Sequence, residues 1–350
     1  MDASFTGLGA RIVLKRLRAL RREIANVRHG NDAEAIHRLR VASRRLRSTI
    51  HLAAATLPDK KVKSWLHRTR RMTRRLGMAR DLDVQLDFVR QFYARMPRSN
   101  SSVKRPGIER LLLRLDQRRE RCQGKVLKAI ARLEESAVLD DMESTLRPLR
   151  LRAQKRSPIS TAVYRRAHEV IAGHLRDLLA QGPFLAQPER IEEQHKMRIA
   201  AKHLRYGLEA LSPIYPGRLK PFLRAARHLQ EILGEVHDCD VWIAFLPRFL
   251  QEEHQRTVEF FGVPKGFASL KPGIGALLAH RRARRRFVHQ HALRYWRNIR
   301  QRRLWEALTR SLPTATPPQS ARARNRPRVK PPGRRQTRGL TRNHPLFGCR

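Results

Sequence analysis

One pattern constrains this chain more than any other, a helical stripe of cations that occurs twice. Between Ala35 and Ile50 stand His37, Arg40, Arg44 and Arg47, spaced three, four and three residues apart. At ~100° per residue these side chains fall within roughly 80° of arc, while Leu39, Ala42, Leu46 and Ile50 gather on the opposite side. One face is cationic and the other belongs in a core. Far downstream, His195, Arg198, Lys202 and Arg205 repeat the spacing residue by residue.

The repetition extends beyond the stripes. Leu76-Gly77-Met78-Ala79-Arg80-Asp81-Leu82-Asp83-Val84 returns 157 residues later as Leu233-Gly234-Glu235-Val236-His237-Asp238-Cys239-Asp240-Val241, and the stripe histidines lie 158 residues apart. Two motifs whose offsets agree to within one residue point to an internal duplication of a helical bundle. Periodicity predicts helices over Leu8 to Val27, over the first stripe, over Lys60 to Leu76 after the Leu57-Pro58-Asp59 break, and from the Gly77 segment to about Tyr93. Pro97 to Gly107 reads as a loop, Ile108 to Glu135 as a long helix, and a short helix ends near Arg152. The second half restarts after Ser157-Pro158 with Ile159 to Ala180, the second stripe, a break over Ser212 to Pro216, and Leu219 to Leu233. The fold class expected is all-α, one domain over about residues 8–312 with halves of about 8–152 and 157–312.

Charge narrows what the stripes face. A formal net charge of +46 over 350 residues is self-repulsive in isolation and attracts a polyanion: nucleic acid, an anionic membrane or a polymer of phosphate. Arginine suits phosphate because its guanidinium binds oxygens in bidentate fashion and stays charged. A solvated helix face usually intersperses Glu and Asp, and neither stripe contains one. The three cysteines are far apart and outside any C-x-x-C pattern, which argues against a disulfide framework or a zinc site and fits a cytoplasmic setting. No apolar run has transmembrane length, and basic residues interrupt Leu8 to Ile24, so neither membrane insertion nor a signal peptide is expected.

Other chemistries find little support. A metal at His37 or His195 would meet Arg40 or Arg198 at helical spacing, so these imidazoles are expected to donate to phosphate or to bond between helices. Their protonation on ligand binding would raise affinity as pH falls. The pairs Asp81/Asp83 and Asp238/Asp240 could hold magnesium only from a loop; on a helix they project to different sides, and capping or tying down an arginine is the simpler role. No P-loop, dinucleotide fingerprint or catalytic triad order is present, so no enzyme activity and no cofactor are expected.

The motifs His-x-x-Arg-Val-x-x-Arg-Arg-Leu-Arg, Leu-Gly-x-x-Arg-Asp-x-Asp-Val, His-x-x-Arg-Ile-x-x-Lys-x-Leu-Arg-Tyr and Leu-Gly-x-x-x-Asp resemble those of the CHAD family, the conserved histidine α-helical domain. The resemblance spans roughly Leu8 to Leu312. It implies two pseudo-symmetric helical bundles enclosing a basic central cavity that binds inorganic polyphosphate, with targeting to polyphosphate granules as a corollary. It assigns ligand contact to Arg40, Arg44, Arg47, Arg198, Lys202 and Arg205, helped by Arg70, Arg71, Arg74, Arg224 and Arg227 on the following helices. The chain departs from symmetry where Lys202-His203 replaces Arg44-Arg45, His237 replaces Arg80 and Glu231 replaces Arg74, so the first half is expected to dominate.

Nucleic acid is the rival partner. Its phosphates would satisfy the same arginines, and Arg281 to Arg303, interleaved with Tyr295 and Trp296, reads as a basic helix able to lie on RNA or DNA. Against this, readers of single strands present stacking aromatics, and the stripe interiors have none. A Pro- and Arg-rich tail over 313–350, expected to be disordered, would add salt-sensitive affinity for any polyanion. The third alternative, an enzyme acting on phosphate polymers, has no candidate residues and would be revived only by chain shortening with magnesium.

Overall fold

The periodic apolar positions become ten α-helices in a computed structural model that describes residues 3–29, 33–96, 101–154 and 161–313; among these residues no strand occurs. In order they are α1 (Ala3–His29), α2 (Ala33–Ala53), α3 (Asp59–Ala94), α4 (Ser101–Glu135) and α5 (Val138–Gln154), followed by α6 (Thr161–Ala180), α7 (Ile191–Leu211), α8 (Lys220–Phe261), α9 (Lys271–Gln301) and α10 (Leu304–Ser311). The stripes lie on α2 and α7. The expected tail lies, from residue 314 on, outside the described residues.

Three apolar cores hold the helices. The first joins α1, α2, α5, the start of α3 and the end of α4 through Leu17, Leu39, Leu46, Trp65, Met72 and Val126. The second joins α6, α7, α10, the start of α8 and the end of α9 through Ile171, Met197, Leu204, Leu229, Ala292 and Trp305. The third is shared: Val89 of α3, Leu111 of α4, Leu246 and Phe249 of α8, and Ile274 and Leu277 of α9 pack together. The four long helices therefore run from one end core or the other into a common bundle, and residues Met1–Thr316 form one compact unit.

Two expected breaks are absent. The third and fourth predicted helices are one, because Met72, Leu76, Ala79, Leu86 and Val89 keep a single buried face across Gly77. Glycine in a helix costs about 1 kcal/mol against alanine, and burial of that face outweighs it. Gly234 sits likewise inside the continuous α8. The loop expected over Pro97 to Gly107 is helix from Ser101, where α4 begins, while residues 97–100 lie outside the described residues; Pro106 falls early enough that only one amide bond near the helix start is forgone. Gly107 and Gly273 lie where α4 and α9 cross; a Cβ on Gly107 would overlap the Leu270 carbonyl, and one on Gly273 the Lys104 carbonyl.

Ion pairs fasten the long helices to one another. Arg119 donates to Asp83 at 2.5 Å, joining α4 to α3, and Arg285 donates to Asp240 at 2.8 Å, joining α9 to α8. At the shared bundle the Glu253 side chain is fully buried and accepts from Arg114 at 2.8 Å, Arg256 at 2.5 Å and Arg110 at 3.3 Å. A buried carboxylate is tolerable only when so paired.

The candidate anion-binding stripe

The helices α2 and α7 are in contact, so the two cationic faces stand beside each other. Tyr206 marks the junction: the Arg44 guanidinium from α2 lies 5.8 Å from its ring centroid and that of Arg205 lies 5.7 Å from it. Glu209, one turn further along α7, accepts from Arg16 of α1 at 3.0 Å and pairs with Arg45 of α2 at 3.3 Å.

Each stripe arginine nearest its histidine rests on the glycine of the next long helix. A Cβ placed on Gly77 would lie 3.9 Å from the Arg40 Nε, and one on Gly234 would lie 3.7 Å from the Arg198 Nε. Each guanidinium thus packs against that turn of the helix, close enough that a larger side chain than alanine there would displace it. One turn on, Asp81 faces Arg40 with an Nη2–Oδ1 separation of 3.5 Å. Arg198 lies in the fields of Asp238 and Asp81 together, so the first carboxylates of both Asp-x-Asp pairs reach the same place. Burial among the helices pushes the pKa of Asp81 and Asp238 up, against the pull of Arg40 and Arg198 respectively. Asp81 keeps 67% of its side chain exposed, so water reaches it as well as Arg40. The second members of the pairs, Asp83 and Asp240, are the ties to α4 and α9. The helical geometry separates the roles that a shared metal site would have merged.

Crowding of cations is most visible at Lys202. Burial first, then the fields of Arg44, Arg198, Arg47 and Arg40, bring its pKa down to about 8 from the ordinary 10.5. These four arginines come from both stripes, so the structure gathers Arg40, Arg44, Arg47, Arg198 and Lys202 into one electrostatic neighbourhood. Arg205 sits at its edge, donating to Gln230 at 3.2 Å. The histidines are held neutral: burial and then Arg80 lower His37, while burial, Arg198 and Lys202 lower His195. His195 packs against His237 with 4.3 Å between ring centroids, and His237 is pushed down to about 4 by burial, Arg198 and His195. Among the described residues, the Nδ1 atoms of His37 and His195 and the Nε atoms of Arg47, Arg198 and Arg205 are buried without a hydrogen-bond partner. Proton uptake by these imidazoles therefore needs an anion strong enough to overcome their neighbours.

The remaining sequence candidates divide. Arg70 adjoins the stripe through its field on Arg47. Arg71 and Arg74 face a groove between α3 and α4, and Arg224 and Arg227 stand exposed on α8. The helix from Arg281 to Arg303 is not a free basic rod. Arg281 is buried against Cys239 and Phe88, Arg284 pairs with Glu235 at 2.6 Å, Trp296 is in the second core, and Tyr295 is half-buried with its hydroxyl donating to the Ala225 carbonyl at 3.4 Å. The apolar surface that Tyr295 and Trp296 provide is spent on packing, whereas Phe287 stands exposed beneath Arg284. Arg80, Asp81, Asp238 and the two glycines join the site although periodicity alone does not single them out; their signal is the repeated Leu-Gly-x-x-x-Asp-x-Asp motif. Among the described residues no helix is long and apolar enough to cross a membrane.

The fold and the paired stripes thus define an all-helical protein organised around a cationic seam. The chain belongs to the CHAD domain family, whose model matches residues 11–247. Its fold is similar to the CHAD domain from the plant Ricinus communis, with a TM-score of 0.54 and 22% identity over 79% of this chain and 94% of that one. It is also similar to PptA from Streptomyces chartreusis, with a TM-score of 0.59 and 17% identity over 83% of this chain and 99% of that one. A comparison with curated proteins gives no match. The family is associated in general with polyphosphate binding.

Proposed function

We propose that the protein is a non-enzymatic binder of inorganic polyphosphate, held along the seam between α2 and α7, and that its halves are repeats of one bundle around that basic cavity. The observation that carries the reading is the gathering of cations from α2 and α7 into one place, with Arg44 and Arg205 both over the Tyr206 ring and Lys202 among Arg40, Arg44, Arg47 and Arg198, which with burial bring its pKa down to about 8. A protein bears such mutual repulsion where a ligand of opposite charge relieves it. Each stripe, from its histidine to its last arginine, runs about 15 Å, which suits a long, uniformly charged chain better than a single phosphate. The carboxylates nearest the seam face arginines, which supports binding over catalysis. Binding of this kind would place the protein on polyphosphate granules.

The test is a competition titration at near-physiological salt. Labelled long-chain polyphosphate bound to the protein is challenged with single-stranded RNA and duplex DNA at equal phosphate concentration, and the measurement is repeated after Arg40, Arg44, Arg198 and Lys202 are changed to Ala. Polyphosphate is expected to win by orders of magnitude, and the substitutions to abolish its advantage. Equal competition by RNA, with all ligands weakened alike, would put the nucleic-acid reading first. Chain shortening in the presence of magnesium would revive an enzyme.

A further inference from the structure

A second concentration of positive charge lies beside the seam, in the groove where α3 and the last turns of α4 diverge. The groove has a volume of about 1140 Å³. From α3 it is lined by Arg68, Arg70, Arg71, Arg74 and Arg75 and from α4 by Lys125, Lys128 and Arg132, against one acid, Glu135. The α4 residues recur at helical spacing on one exposed face. Several arginines of the long helices are consumed in ion pairs, as Arg119, Arg285 and those around Glu253 show. Here, among the described residues, only Lys63 has such a partner, Asp59 at 2.6 Å.

The other half has no such groove chemistry. At the positions 157 residues further on, Arg68 becomes Ala225, Arg71 becomes His228, Arg74 becomes Glu231 and Arg75 becomes Ile232. Ala225 and Ile232 are buried, and α9 closes over them: Tyr295 bonds the Ala225 carbonyl and packs edge-on against His228 with centroids 4.6 Å apart. Packing therefore uses this helix face in the second half, while the first half keeps it open and cationic. The groove is not isolated, because Arg70 lies on its rim and within the field of Arg47, the last cation of the first stripe.

We propose that the α3–α4 groove is a second polyphosphate-binding segment, entered by a chain that leaves the seam over Arg47 and Arg70. This rests on the polyphosphate reading of the seam and adds to it a lopsided footprint and a dependence on chain length. Tripolyphosphate is satisfied by the seam alone, and only a long chain spans both segments.

The test uses the full chain carrying Lys125→Gln, Lys128→Gln and Arg132→Gln, exposed positions outside the seam, with thermal melts to verify folding. Tripolyphosphate, long-chain polyphosphate and single-stranded RNA are titrated over a salt series. The triple variant is expected to bind tripolyphosphate as the parent does but to lose about thirtyfold in long-chain affinity. Its slope of log affinity against log salt should fall by about 3, one for each contact removed. Long-chain affinity and slope equal to the parent's would overturn the proposal, as would an equal loss for both chain lengths or a loss confined to single-stranded RNA. A second variant, Arg40→Ala with Arg198→Ala, tests the seam separately. If it binds tripolyphosphate like the parent, the reading of the seam fails, whereas the groove is judged by the length-dependent loss in the triple variant.

Discussion

Lys202 turns the crowding of cations into a titration. Its ammonium has a pKa of about 8 in the free protein, lowered by burial and then by Arg44, Arg198, Arg47 and Arg40 from the ordinary 10.5. A phosphate seated among these groups supplies the missing opposite charge and returns the pKa towards its ordinary value, so binding takes up a proton wherever free Lys202 is neutral. Because the free-state pKa is the lowered one, full affinity is present below about pH 8 and is lost as pH rises. With the ordinary value restored in the complex, affinity near pH 9 is about tenfold weaker than near pH 7, and near pH 10 close to a hundredfold weaker. The assay is a long-chain polyphosphate titration at fixed ionic strength across this range, run beside Lys202→Arg. Arginine stays charged throughout, so its profile should be flat. The histidines of the seam, with His37 and His195 lowered and His237 at about 4 in the free protein, take up protons on binding at lower pH than Lys202 does. A flat profile in the parent, or the same slope in Lys202→Arg, would refute the reasoning.

Other substitutions probe different parts of the structure. Asp81→Asn with Asp238→Asn removes two negative charges that face the stripe arginines, Asp81 at 3.5 Å from Arg40; at about 1 kcal/mol each for ~4 Å in water, polyphosphate should bind about thirtyfold tighter by titration, and no gain would place the ligand elsewhere. Gly234→Ala should be tolerated, since its Cβ would only touch the Arg198 Nε at 3.7 Å. Gly234→Leu should displace that guanidinium and weaken binding about tenfold without unfolding the protein, as circular dichroism would verify. Glu253→Gln leaves three arginines facing a neutral amide and should cost about 3 kcal/mol in urea unfolding, with polyphosphate affinity unchanged. Burial alone would raise the Glu253 pKa, but the hydrogen bonds from Arg114 and Arg256 bring it below the ordinary value. Its contribution is therefore present at neutral pH and is lost as pH falls through that depressed pKa, a dependence Glu253→Gln should lack.

The stripes are legible in the sequence because a helix surface repeats every few residues, so His37 to Arg47 announces its own face. The repeat of Leu-Gly-x-x-x-Asp-x-Asp is legible for the same reason. Helix ends are not: Gly77 carries a local signal to stop, and only tertiary burial of Met72, Leu76 and Ala79 overrules it. The fate of Arg281 and Trp296 is hidden too, because composition shows how much charge a helix carries and not which neighbours consume it. Arg285 meets Asp240 and Arg284 meets Glu235 across 45 and 49 residues. Long-range pairing of this kind also decides which cations are left over, and so hides Lys125, Lys128 and Arg132 until α3 and α4 are placed side by side.

The core shared by α3, α4, α8 and α9 bears on what a fragment of this chain could do. Residues 1–154 alone would retain their end core yet lay bare Leu86, Val89, Ile108, Leu111 and Leu115, side chains covered in the whole molecule by Trp242, Leu246, Phe249, Ile274 and Leu277. The counterpart helices offer a surface of the same kind, so the cheapest remedy for a severed half is a second copy of itself. Such a pair would set two identical stripes side by side. In the whole chain the two stripes instead differ, one holding Arg44-Arg45 and the other Lys202-His203, and are present in fixed stoichiometry.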